Sequence, residues 1–226
     1  MQIVKKTLAA AVILALTGPA FVMAADRTTA NVSVDSVYYS YIDKLSGMGY
    51  LKTLPNGARP YSRMQMARWC LEAEEKSAEK PMPAYLADEL KALENYLAPE
   101  MASLKGNPTE DTLRLRSVAV EGDYLKADRF SYSDATDSGS WAPFGANRNG
   151  HKYGRNGNLA LSAEVSGNIG HETAISIKGR TSWDKDNDGT ASLEEAYIKT
   201  RAGSFAFEAG RQALTWGEGY SGHLLL

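Results

Sequence analysis

The sharpest chemical pattern in the chain is an acidic run, Asp184-Lys185-Asp186-Asn187-Asp188-Gly189-Thr190-Ala191-Ser192-Leu193-Glu194-Glu195. Asp184, Asp186, Asp188, Thr190, Ser192 and Glu195 put oxygens where a twelve-position calcium loop needs them, with Gly189 at the sixth position. Such a loop needs flanking helices, and here both flanks read as strands. Position 8, usually a branched apolar residue, is Ala191. The run is therefore read as a solvated surface loop, with no metal and no cofactor assigned. His151, His171 and His223 fall in separate loops without ligand spacing. Glu194 and Glu195 are adjacent on an expected strand, so alternation sends them to opposite faces, which is wrong for a shared acid–base pair. No nucleophile elbow or phosphate loop is present, and we read no enzyme. Trp141, Trp216 and Tyr220 are weak ligand-binding candidates, since an aromatic face can stack on a sugar ring. Trp183 and Trp216 read better as interfacial or lumen aromatics, and Trp183 follows directly on an outward-running strand.

The elements that must position these residues are those of a folded chain. Its 226 residues are 43% hydrophobic and 23% charged, with 25 basic against 27 acidic side chains. A net charge of −2 gives no electrostatic reason for a nucleic-acid partner. A single cysteine, Cys70, excludes an internal disulfide, and its place on an apolar helix face predicts a buried packing role. Residues 1–24 carry Lys5 and Lys6, an apolar run from Leu8 to Leu16, and Val22-Met23-Ala24, the pattern of a cleaved export signal. The run is too short for a membrane-spanning helix, so any membrane residence must use strands.

Residues 25–104 are read as a helical domain. Val34, Val37, Tyr38, Tyr41, Leu45 and Met48 recur at helical spacing. Ser62 with Gln65 marks a capping box, followed by Met66, Trp69, Cys70 and Ala73 on one face. Pro83 opens a third helix through Leu86, Leu90, Leu93 and Leu97, and Pro99 is expected to close it. The expectation is a three-helix bundle.

Residues 105–226 change to period two. Leu159, Leu161, Ala163 and Val165 alternate with small or polar neighbours, as do Ile175 and Ile177, and Phe205, Phe207 and Ala209. Less regular strands run over 113–122 and 193–200. The connections alternate long (123–157), short (167–172), long (182–192) and short (201–203), the pattern of an outer-membrane barrel with its tight turns in the periplasm. Alternation alone fits a soluble β-sandwich as well. Under the barrel reading, Ser162, Glu164, Ser176, Lys178, Arg180 and Glu208 line a wet lumen. Only five or six strands fit after Thr112, whereas the smallest barrels have about eight. That reading therefore expects this chain to be the N-terminal part of a longer, truncated barrel.

The C-terminal residues carry a resemblance. Gly210-Arg211, Trp216-Gly217-Glu218-Gly219 and Gly222-His223-Leu224-Leu225 follow the Gly-Arg, Trp-Gly-x-Gly and Gly-x-Leu-Leu order of the Wzi family of capsule-assembly proteins. Leu193-Glu194-Glu195-Ala196-Tyr197 followed by Gly203 and Phe205 is similar to that family's strand pair, as is Tyr41-Ile42-Asp43-Lys44-Leu45 with Arg59-Pro60-Tyr61-Ser62-Arg63 to its helical part. Glu218 stands where a proline is common. The resemblance is specific over 191–226, loose over 33–104 and weak between. It implies an α+β protein, a periplasmic helical bundle followed by antiparallel strands of an outer-membrane barrel. It also implies a non-catalytic, lectin-like role in holding capsular or other surface polysaccharide, with outer-membrane lipid around the barrel. A rival resemblance lies in Ile42–Leu51, Pro55-Asn56-Gly57 and Ser62-Arg63-Met64-Gln65, which is similar to an S-layer homology module. That module tethers an outer-membrane porin to cell-wall polymers, although its usual acidic residue is here Gln65.

Overall fold

A computed structural model describes residues 27–54, 58–107, 113–126, 156–184, 189–216 and 224–225. The chain is α+β. Four helices come first, α1 (Tyr38–Gly47), α2 (Arg63–Glu79), α3 (Ala84–Tyr96) and α4 (Ala98–Leu104). Ile42 and Leu45 of α1, Met66, Trp69 and Cys70 of α2, and Leu86 and Leu93 of α3 meet in one buried core. The capping signal at Ser62 is realised, since its Oγ accepts the backbone N–H of Gln65 at 3.2 Å. Loss of this cap in Ser62→Ala is expected to cost about 1 kcal/mol. The thermal midpoint of the helical signal should then fall by about 2–4 °C.

Two expectations for this region change. Pro99 does not end the helical run but sits in the first turn of α4, where a residue without an N–H forfeits no hydrogen bond. The described helices therefore number four rather than three. The first helix begins at Tyr38 rather than near Val34, because Val34 and Asp35 form a turn that frees Ser33 and Asp35 to bond elsewhere. Cys70 is buried in the core, and burial pushes its thiol well above the ordinary cysteine value.

The strands are β1 (Ala58–Arg59), β2 (Arg114–Leu125), β3 (Asn156–Ile169), β4 (Thr173–Asp184), β5 (Thr190–Ala202), β6 (Phe205–Arg211), β7 (Thr215–Trp216) and β8 (Leu224–Leu225). β2 to β6 form a five-stranded antiparallel meander in chain order. β1, from the helical part, pairs with β7, which pairs with β8. Arg59 of β1 is held by both carboxylate oxygens of Asp43 on α1 at 2.8 Å. β2 to β5 run to 12, 14, 12 and 13 residues, longer than their apolar alternation suggests. The ladders continue past the apolar residues through polar pairs such as Asn158 with Asp184 and Ser182 with Thr190.

Register assigns the two faces. Val165, Ile177 and Ala196 align across β3, β4 and β5 on one side; Glu164, Lys178 and Glu195 align on the other. The apolar side is the exposed one, with Leu161 at 41%, Ile177 at 48% and Phe207 at 57%. Glu164, Ser166, Ser176, Lys178 and Glu195 on the opposite side are buried. No helix among the described residues is long and apolar enough to cross a membrane.

Candidate functional site

The polar face of the meander is covered by residues 27–36, an extended strap running into α1. The strap's backbone belongs to the helical part. Val32 N–H donates to the Tyr61 carbonyl and Arg63 N–H to the Ala30 carbonyl, both at 2.9 Å. Tyr39 Oη donates to the Val32 carbonyl at 2.8 Å, and Met64 N–H donates to Thr29 Oγ1 at 2.9 Å.

Toward the sheet the strap works mainly through side chains. Asn31 Nδ2 donates to Glu208 Oε1 and to Gln212 Oε1, each at 3.1 Å, while its Oδ1 accepts from Lys199 Nζ at 2.8 Å. Asn31 N–H donates to Tyr197 Oη at 2.7 Å. The Ser33 hydroxyl lies between Asp35 Oδ1 at 2.6 Å and Glu195 Oε1 at 2.5 Å, and it accepts from Lys178 Nζ at 3.3 Å. Lys178 Nζ also reaches Asp35 Oδ2 at 2.5 Å and Glu194 Oε2 at 3.4 Å. At the short-turn end, Thr28 N–H donates to the His171 carbonyl at 2.9 Å and Asn168 Nδ2 donates to the Thr28 carbonyl.

Burial alone would raise the Asp35 carboxyl, but hydrogen bonds from Lys178 and Ser33, with the Lys178 charge, hold it below its ordinary value. This contribution is complete above the ordinary aspartate range near about 4 and is lost as pH falls through the lowered value.

Behind the strap, Arg63 opens α2 with its guanidinium buried against Glu100 of α4. Arg63 Nε donates to Glu100 Oε1 at 2.8 Å and Nη2 to Oε2 at 3.2 Å, and the guanidinium carbon stands 4.3 Å from the Tyr96 ring centre. Burial disfavours the charge, but Glu100 outweighs it and the Arg63 pKa is raised.

Two readings of the polar residues change. Glu164, Ser176 and Lys178 are not wet: all three are buried, and Ser33 and Asp35 of the strap bond Lys178. Glu194 and Glu195 do not part to opposite faces. A β-bulge lets Lys178 pair with Glu195 and Gly179 with Leu193, leaving Glu194 as the extra residue, and both carboxylates gather around Lys178. Farther from the strap the same face carries Arg180 bonded to Glu121 at 2.6 Å, and Ser182 against Thr190 at 2.8 Å.

Of the residues in the acidic run, Asp184 ends β4, and Thr190, Ser192 and Glu195 lie along β5. Asp186 and Asp188 lie outside the described residues, as do Trp141, Tyr220, His151 and His223. Trp216 is in β7, its backbone paired with Ala58. Among the described residues no group of His, Cys, Asp and Glu is arranged to hold a metal ion. Sequence reading missed the strap itself. Its signal was a period-two run in which Thr29, Asn31, Ser33 and Asp35 alternate with Ala30, Val32 and Val34.

Residues 125–226 match the family model described as capsule assembly protein Wzi. The match takes in β3 to β8 and leaves out the helical part. It gives no support to an S-layer type of tether. No curated protein and no solved structure matches the chain.

Proposed function

With residues 125–226 as a segment of the Wzi capsule-assembly family, we propose that the protein is a non-catalytic outer-membrane component that holds or assembles capsular polysaccharide at the cell surface. The observation that carries this reading is the inverted patterning of the meander, apolar side exposed and charged side covered. In water that arrangement is unfavourable, since each exposed leucine or phenylalanine forgoes about 1.5–3 kcal/mol of burial. Against lipid it is the required one, with a polar interior and an apolar outer band. Aromatic residues mark both rims of that band, Tyr124 and Trp183 at the end of the long connections, Phe205 and Phe207 at the end of the short turns.

The short turns at 170–172 and 203–204 lie at the strap's end of the sheet, as the Thr28–His171 bond indicates. Tight turns face the periplasm in such barrels, which supports a periplasmic helical part and long connections turned to the outside. The export signal read in residues 1–24 delivers the chain to that compartment. Glycan would be met on the outer side, and the aromatic residues read from the sequence as stacking candidates remain Trp141, Trp216 and Tyr220. The hydroxyl groups of Ser182, Thr190 and Ser192 suit the donors and acceptors of a sugar.

Two experiments test this. Cells lacking the protein are expected to release capsular polysaccharide into the medium, with attachment restored by the wild-type chain; unchanged attachment would refute the functional reading. At mid-strand, Leu161→Arg on the apolar side is expected to cost about 2–4 kcal/mol of barrel stability. It should deplete the folded, heat-modifiable form in outer-membrane fractions, whereas Ser162→Arg on the polar side is tolerated. Equal tolerance of the two would refute lipid contact.

A further inference from the structure

The Ser33 hydroxyl is held between two carboxyl groups, one from the strap and one from the sheet. Its oxygen stands 2.6 Å from Asp35 Oδ1 and 2.5 Å from Glu195 Oε1, both hydrogen-bond lengths. A hydroxyl brings one proton and two lone pairs, so it donates to only one of these oxygens. The other must supply a proton of its own, because two lone pairs facing at that distance repel. Lys178 does not provide it. Its three N–H groups meet Asp35 Oδ2 at 2.5 Å, Ser33 Oγ at 3.3 Å and Glu194 Oε2 at 3.4 Å.

The other cations of this face are engaged elsewhere. Arg63 bonds Glu100, Arg116 bonds Ser166, Arg180 bonds Glu121 and Lys199 bonds Glu208. Arg114 and Arg201 lie at the short-turn end, where Arg201 Nε donates to the Gly203 carbonyl. Glu164 and Glu194 stand beside Glu195 and would repel a charge there. The Tyr197 hydroxyl is occupied by the Asn31 N–H. Asp35 takes the ammonium contact, and that bond with the one from Ser33 keeps it ionised despite its burial.

From this count of donors we infer that Glu195 is a neutral carboxylic acid in the folded protein, donating to Ser33, which in turn donates to Asp35. One proton thereby closes the contact between sheet and strap, and the contact is a proton-dependent latch. Losing the proton sets a second negative charge against Ser33 and weakens the latch. In the unfolded chain a glutamate gives up its proton near about pH 4.3. The folded protein keeps it longer, so this contribution is complete below that range and is lost as pH rises through the folded release point. The inference rests on contacts of the polar face and holds whichever solvent meets the apolar one.

Infrared difference spectra of the whole folded protein at neutral pH read the proton directly. The parent is expected to show the carbonyl stretch of a neutral carboxylic acid, Glu195→Gln to lose it, and Asp35→Asn to keep it. Glu195→Gln retains an N–H donor toward Ser33 at nearly the same volume, so it mimics the closed latch. Between about pH 6 and about pH 9 the thermal midpoint of the parent should fall by about 2–4 °C more than that of Glu195→Gln, the size of one lost hydrogen bond. An acid band that survives Glu195→Gln, or vanishes in Asp35→Asn instead, overturns the assignment. Equal pH dependence of parent and Glu195→Gln overturns the latch. A parent with no neutral-acid band overturns both, and that measurement needs no variant to fold.

Discussion

Replacing Gly210 with alanine is expected to cost about 2–6 kcal/mol and to deplete the folded protein. Gly210 lies on β6 opposite Tyr197 of β5, with φ of +138°, a backbone region that only glycine enters readily. An added Cβ would stand 2.2 Å from the Ala196 carbonyl oxygen and 2.6 Å from the Tyr197 Cα. Neither is the end of a flexible side chain, so the two strands must separate. The absence of that methyl lets Tyr197 fit beneath the strap with its hydroxyl on the Asn31 amide. Gly203 supplies the comparison, because it also has positive φ, at +59°, but open space where its Cβ would go. Gly203→Ala is expected to cost only about 1 kcal/mol, the conformational part alone. Recovery of folded protein measures both; equal recovery would show that close approach at Gly210 is unimportant. This also gives a physical reason for the glycine in the Gly-Arg pair of the family resemblance.

Arg63→Met is the second large effect. Arg63 and Glu100 are 1% and 2% exposed, so removing the guanidinium strands a buried carboxylate and is expected to cost about 3–5 kcal/mol. The double variant Arg63→Met, Glu100→Met removes both charges and is expected to recover most of that loss, since a buried ion pair is often matched by apolar side chains of like volume. Thermal unfolding of the helical signal measures both variants. Additive losses in the double variant would show that the pair is not an energetic unit.

The two halves of the molecule differed in how far their residues announced them. Strands from Leu159 onward were legible because one apolar side must repeat every second residue, whichever solvent that side meets. Alternation cannot say which side is covered, and that came only from the strap. The helical faces were legible through Leu86, Leu90 and Leu93, but α4 was hidden because Pro99 stops a helix in one position and starts one in another. Glu194 was misplaced for a related reason. A bulge is a property of two paired strands, and a reading of β5 by itself contains no sign of it. The acidic partner of Arg63 is Glu100, supplied by the helix that was missed.

The strap's contacts also have a consequence for the order of assembly. Asn31 meets Tyr197 across 166 positions of chain and Glu208 across 177. Loops of that span close slowly, and an exported polypeptide emerges with its amino end first. On the proposed reading, Asn31, Ser33 and Asp35 would reach the periplasm well before the side chains they bond, and would wait there until β5 and β6 had been delivered. Seating the strap is thus a late event of folding, wherever the chain folds, because it requires β5 and β6 to be in place first.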